Sequence, residues 1–130
     1  MSSAQAESSK TARGLAVVVD DDAAVLRLLK DLLLGAGFQV EAYNDFASAK
    51  ERLAAGGVDV LVTDVRLGAF NGLQLVVRAK ATSPDVVAIV LTGFDDQVLH
   101  QDAVGVGAHF LLKPIRVEQL RQLLDATQKA

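Results

Sequence analysis

Three short runs of apolar, mostly β-branched residues punctuate this chain, and each one, like a fourth short strand at 109–112, stops on a polar residue. Residues 15–19 stop at Asp20-Asp21-Asp22, 58–63 at Asp64, 86–91 at Thr92-Gly93, and 109–112 at Lys113-Pro114. A run that is apolar without alternation suits a strand covered on both faces, the condition of a parallel sheet between layers of helix. The stretch 38–43 (Phe-Gln-Val-Glu-Ala-Tyr) alternates instead, as a strand with one wetter face does, and is expected at a sheet edge. Helical patterns separate the strands. Val25, Leu28, Leu29, Leu32 and Leu33 recur at helical spacing before Gly35 and Gly37. Residues 45–55 read as a second helix closed by Gly56-Gly57, and further helices are expected over about 73–81, 95–104 and 117–128.

Five strands alternating with five helices imply parallel β-α-β units, hence an α/β fold with a doubly wound five-stranded parallel sheet. An edge position for the second strand fits the flavodoxin-like order 2-1-3-4-5. With 130 residues, 51% hydrophobic and 22% charged, the chain is expected to form one domain with a well-filled core. Residues 1–13 are polar and small and read as a flexible tail, leaving 14–130 as the folded domain. A net charge of −3 with no basic stripe argues against direct nucleic-acid contact. The lack of cysteine excludes disulfides, thiolate metal sites and cysteine nucleophiles. No apolar run approaches the roughly 18 residues of a membrane helix, and the start has no signal-peptide core, so a soluble cytoplasmic protein is expected.

In sheets of this kind ligands gather at the carboxyl ends of the strands, near the point where strand order reverses. There the sequence puts Asp20, Asp21 and Asp22, then Asp64, Thr92 and Lys113. Carboxylates crowded together raise one another's pKa unless a cation intervenes. Mg²⁺ is suited to this, since it takes one or two carboxylates together with waters and phosphate oxygens. Asp64, alone at its strand end, is then the candidate nucleophile, and attack on phosphorus would give an aspartyl phosphate. Phosphoryl transfer needs mainly positioning and charge neutralisation. Lys113 and the metal supply positive charge, and Thr92 a hydroxyl donor. Asp22 is expected to cap the following helix, and His100 and His109 to be structural or solvent-facing.

The segments Val-Val-Val-Asp-Asp-Asp, Val-Thr-Asp-Val-Arg-Leu-Gly-Ala-Phe-Asn-Gly, Val-Leu-Thr-Gly and Phe-Leu-Leu-Lys-Pro-Ile, in this order and on these strands, resemble the response-regulator receiver domains of two-component signalling. The resemblance covers about residues 14–128. It implies that Asp64 is the phospho-acceptor and that Asp20 and Asp21 bind Mg²⁺, Asp21 directly and Asp20 largely through water. It implies also that the backbone carbonyl of Arg66 completes the metal site and that Thr92 and Lys113 contact the phosphoryl group. Phe110 takes the aromatic switch position, moving with Thr92 to signal to the face of helix four, strand five and helix five. The domain would then be a phospho-acceptor switch rather than a turnover enzyme, catalysing only its own phosphorylation and dephosphorylation. Its implied partners are a histidine kinase or phosphotransfer protein, an unknown downstream protein, and a second copy dimerising through that face on phosphorylation. It would act as a stand-alone receiver or as part of a longer regulator.

The chain departs from the family in two places. Gly68 stands where the family usually has proline, and 105–110 is about one residue shorter than the common pattern. Arg66 and Phe94 sit two residues beyond Asp64 and Thr92, positions that in the family influence hydrolysis of the aspartyl phosphate, and both are expected to shield it. Two other functions compete. Asp20-Asp21-Asp22 also resembles the Asp-x-Asp of haloacid-dehalogenase phosphatases, but Ala24 stands where Thr or Val is required and Asp64 goes unused; turnover of a phosphate ester would favour it. An unphosphorylated docking module would usually have lost an acid or the lysine, and none is lost here.

Overall fold

A computed structural model describes residues 13–127 of the chain. The elements run β1 (Leu15–Val19), α1 (Ala23–Gly35), β2 (Gln39–Tyr43), α2 (Phe46–Ala54), β3 (Val60–Asp64), β4 (Arg66–Leu67), β5 (Phe70–Asn71), α3 (Leu73–Thr82), β6 (Val87–Thr92), α4 (Gln97–Gly105), β7 (Ala108–Leu112) and α5 (Val117–Thr127). Five strands make one sheet in the order β2-β1-β3-β6-β7, with every neighbouring pair parallel. Leaving aside the short β4–β5 pair, this is the expected order 2-1-3-4-5, with the alternating strand β2 at an edge.

The apolar runs of β1, β3 and β6 are buried on both faces because successive side chains point to opposite sides of the sheet, whereas β7, at the other edge, exposes His109 and Leu112. Val17, Val19, Leu61, Ala88 and Val90 pack with Phe46, Ala49 and Leu53 of α2 and Leu75, Val76 and Ala79 of α3. Ala16, Val18, Val60, Val62, Ile89 and Leu91 pack on the other face with Leu29 and Leu33 of α1 and Leu120 and Leu124 of α5. Burying each Leu or Val stabilises the fold by about 1.5–3 kcal/mol before entropy is counted. No helix among the described residues is long and apolar enough to cross a membrane.

Three boundaries differ from the sequence reading. Arg13, assigned to the tail, is fastened to the domain. Its N–H donates to the Gly37 carbonyl at 2.8 Å, its guanidinium lies 4.8 Å over the Phe38 ring, and it pairs with Asp125 at 3.2 Å. The rest of that tail, 1–12, and residues 128–130 lie outside the described residues. Gly35 continues α1, and Gly37, at φ +101°, makes the turn into β2. Helix α4 begins only at Gln97, because the Asp96 carboxylate accepts the N–H groups of Val98 and Leu99 and fixes the start there. Within 105–110, Gly107 takes φ +82° immediately before β7.

Candidate functional site

The carboxyl ends of β1, β3, β6 and β7 meet on one rim. Asp20 follows β1 and is fully buried. Its Oδ1 accepts the Asp22 N–H at 2.9 Å, while Asp22 itself caps α1 by accepting the N–H groups of Ala24 and Val25. That division of labour uses one aspartate to hold the next and leaves Asp20 Oδ2 aimed into the site. Among the described residues Oδ2 has no donor in hydrogen-bonding geometry, only the ammonium of Lys113 at 3.1 Å. Asp64 ends β3 and is buried, and its Oδ2 lies 3.4 Å from the same ammonium. The Arg66 N–H also donates to the Asp64 carboxylate. Asp21 is exposed. One carboxylate oxygen each from Asp20, Asp21 and Asp64 lies within 4.8 Å of the others, so this cluster could hold a metal ion.

One cation serves two anions here, and the protonation equilibria follow from that ratio. Burial pushes the Asp64 carboxyl above its usual range, and the nearby Asp20 pushes it further; Lys113 and the Arg66 N–H offset this only in part. Burial alone would lower Lys113, but bonding to Asp20 and attraction to both carboxylates outweigh it and raise its pKa. Both partners of the Asp64–Lys113 contact therefore shift upward: the ammonium is held firmly charged, while the carboxylate remains under-compensated. A second positive charge is what this cluster lacks electrostatically, and the buried Oδ2 of Asp20, whose one close partner is the shared ammonium, is an oxygen of the type a hard cation takes.

Thr92, at the end of β6, is buried, and its Oγ1 accepts the Phe94 N–H at 3.1 Å. Its hydroxyl hydrogen is not committed by that bond, and its carbonyl accepts the Lys113 N–H at 2.7 Å. The strand end that carries the hydroxyl thus also positions the lysine, which precedes a cis bond to Pro114. Gly72 fixes the other side. Its N–H donates to the Val65 carbonyl at 2.6 Å, and a Cβ on it would stand 2.0 Å from the Asp64 carbonyl oxygen. Only glycine lets α3 start this close to the end of β3.

Three features were missed by the sequence reading. Residues 66–71, read as plain loop, form the antiparallel hairpin β4–β5, in which Arg66 pairs with Asn71 and Leu67 with Phe70; strands of two residues leave no periodicity to detect. The Arg66 guanidinium lies 4.6 Å from the Phe94 ring centroid, so the two expected shielding residues are stacked on each other beside the site. Phe110, half-buried against the core opposite Val90, stacks on exposed His100 with centroids 4.7 Å apart and planes 8° from parallel. His109 is exposed.

The model of the response regulator receiver domain family matches residues 16–125. The transcriptional regulatory protein FixJ of Bradyrhizobium diazoefficiens is 32% identical over 117 residues. This is 89% of the chain but 57% of FixJ, so the chain spans little more than half the length of that relative. The beryllofluoride-activated NtrC4 receiver domain dimer matches with a TM-score of 0.80 at 27% identity, over 88% of this chain and 96% of that one. A response regulator from Burkholderia pseudomallei, solved with a phosphorylated aspartic acid, a calcium ion and citrate, matches with a TM-score of 0.78 at 28% identity. That match covers 89% of this chain and 67% of the other.

Proposed function

Since this chain belongs to the response regulator receiver domain family, a family of phospho-acceptor switches, we propose that Asp64 is its acceptor and Mg²⁺ its metal. The observation that carries this is the rim itself: a buried nucleophile touched by Lys113, with two further carboxylates within ligand reach. Asp20, Asp21, Asp64 and the carbonyl of Arg66 would hold the ion. When bound it would neutralise charge on the carboxylates and on the incoming phosphoryl oxygens.

The reaction follows from the chain's own groups. An Asp64 carboxylate oxygen attacks phosphorus and forms the acyl phosphate bond. The bond from phosphorus to the donor's leaving atom breaks, and its electron pair departs with the leaving group. Lys113 stands where it can neutralise a phosphoryl oxygen, and the Thr92 hydroxyl can turn to donate to another. The stacked Arg66 and Phe94 cover the approach of water and slow hydrolysis of the product. The donor is a histidine kinase or phosphotransfer protein, and the domain catalyses only its own phosphorylation and dephosphorylation in the cytoplasm.

Phosphorylation draws Thr92 toward the phosphoryl group, and Phe110 follows. The surface so changed is that of α4, β7 and α5, where Val98, Val104, Leu112 and Val117 stand exposed. It is offered to a downstream protein or to a second copy. The test is an intact mass after incubation with Mg²⁺ and phosphoramidate. A gain of one phosphoryl group that requires Mg²⁺ and disappears in Asp64→Ala is expected. An unchanged mass in the native protein, together with no binding of beryllofluoride, would refute the reading.

A further inference from the structure

Away from that rim, helices α2 and α3 leave a groove of about 610 Å³ between them, closed at one end by the β4–β5 hairpin. Phe46 and Lys50, one helical turn apart, form one wall; Gln74, Val77 and Arg78 form the other; Phe70 stands at the hairpin end. The floor is apolar and partly uncovered. Phe70 is 53% exposed and Val77 54% exposed, and the Phe70 ring stacks on Phe46 at 4.5 Å with planes 10° apart. Stacking against a buried ring holds Phe70 in a fixed orientation with its other face presented to solvent, which lowers the entropy lost on covering it.

The charges on the walls indicate what covers it. Lys50 and Arg78 are exposed, and neither side chain has an ion pair or hydrogen bond among the described residues. No carboxylate lines the groove. In a chain of net charge −3, a groove bordered only by cations is a local reversal of sign. A second copy of this acidic chain is a poorer electrostatic match than a segment designed around carboxylates.

We infer that the α2–α3 groove is a docking site for an acidic amphipathic helix of a partner protein. Apolar side chains on one face of that helix lie on Phe70 and Val77, and flanking carboxylates pair with Lys50 and Arg78, the helix-in-groove mode of recognition. This surface lies outside the α4–β7–α5 face.

The test uses the whole chain and a phage-displayed library of random peptides of about 16 residues, roughly 24 Å of helix. Selection is run against the native protein and counter-selected on Val77→Asp and on Arg78→Glu, two exposed positions whose variants keep the core intact. The expected result is enrichment of sequences with apolar residues at helical spacing flanked by Asp and Glu. Synthetic peptides from that pool should bind Arg78→Glu about five- to tenfold more weakly, and weaken with added salt. Binders that ignore both variants, binders that are basic or neutral, or no binders at all would overturn the inference. So would self-association of the native protein that Val77→Asp abolishes, since that would make a second copy the occupant.

Discussion

Replacing Lys113 by Met tests the charge balance of the rim most directly. The ammonium sits 3.1 Å from Asp20 and 3.4 Å from Asp64, with only 24% of its side chain exposed. At an effective dielectric of about 20, each contact is worth about 5 kcal/mol of gross attraction. Desolvation of the ammonium and ordering of its side chain cancel much of this. What remains on removal is the cost of leaving a fully buried Asp20 beside Asp64 with no cation, about 3 kcal/mol. In urea this moves the unfolding midpoint down by about 2 M if m is near 1.5 kcal/mol/M.

The pH dependence gives the sign. In the variant Asp64 loses the cation that partly offsets burial and the neighbouring Asp20, so ionising it costs still more in the folded than in the unfolded chain. Stability lost at pH 7 is therefore regained as pH falls toward the ordinary aspartate value of about 4. In the native protein the raised Lys113 pKa works the other way. Its contribution is fully present below the ordinary lysine value of about 10.4 and is lost as pH rises through the raised one. Mg²⁺ should narrow the gap between variant and native protein. A loss of the same size at pH 5 and pH 8, untouched by Mg²⁺, would mean that lost packing and not charge explains it; no loss at all would refute the electrostatic account.

Asp64→Asn removes a carboxyl that burial and Asp20 push above its usual range, so the metal-free variant should melt higher than native at pH 7, with the advantage vanishing as pH falls to the unfolded aspartate value near 4. The same variant should lose the stabilisation by Mg²⁺, and calorimetry with and without the ion reads both effects. Gly72→Ala drives a Cβ into the Asp64 carbonyl, so a loss of about 1–3 kcal/mol is expected, with slower phosphorylation measured by phosphoramidate labelling at a temperature where the variant is folded. Arg66→Ala and Phe94→Ala should each shorten the lifetime of the aspartyl phosphate about two- to fivefold, on the scale of one cation–π contact, and the double variant should be little worse than either single one.

Much of this was legible before the structure, for identifiable reasons. The apolar runs ending at Asp20, Asp64 and Thr92 are long enough to declare buried parallel strands, a shorter strand ends at Lys113, and the sheet order then fixes which ends meet. Residue type and strand end together reveal the rim. What stayed hidden depends on contacts between segments distant in sequence. Nothing in the local pattern says that Arg66 lies over Phe94, that His100 lies under Phe110, or that Arg13 reaches Asp125. The groove beside Phe70 was hidden similarly, because it requires two helices and a hairpin too short to show a period.

The pairing of Asp20 with Lys113 joins the end of the first strand to the end of the last. During synthesis Asp20 emerges early, yet its buried oxygen has no cation until β7 has been made and has docked beside β6. Non-local strand pairing of this kind is slow compared with helix formation. An unfinished chain therefore carries Asp20 and Asp64 without the ammonium that bridges them. The charge balance of the rim is completed only with the last strand of the sheet.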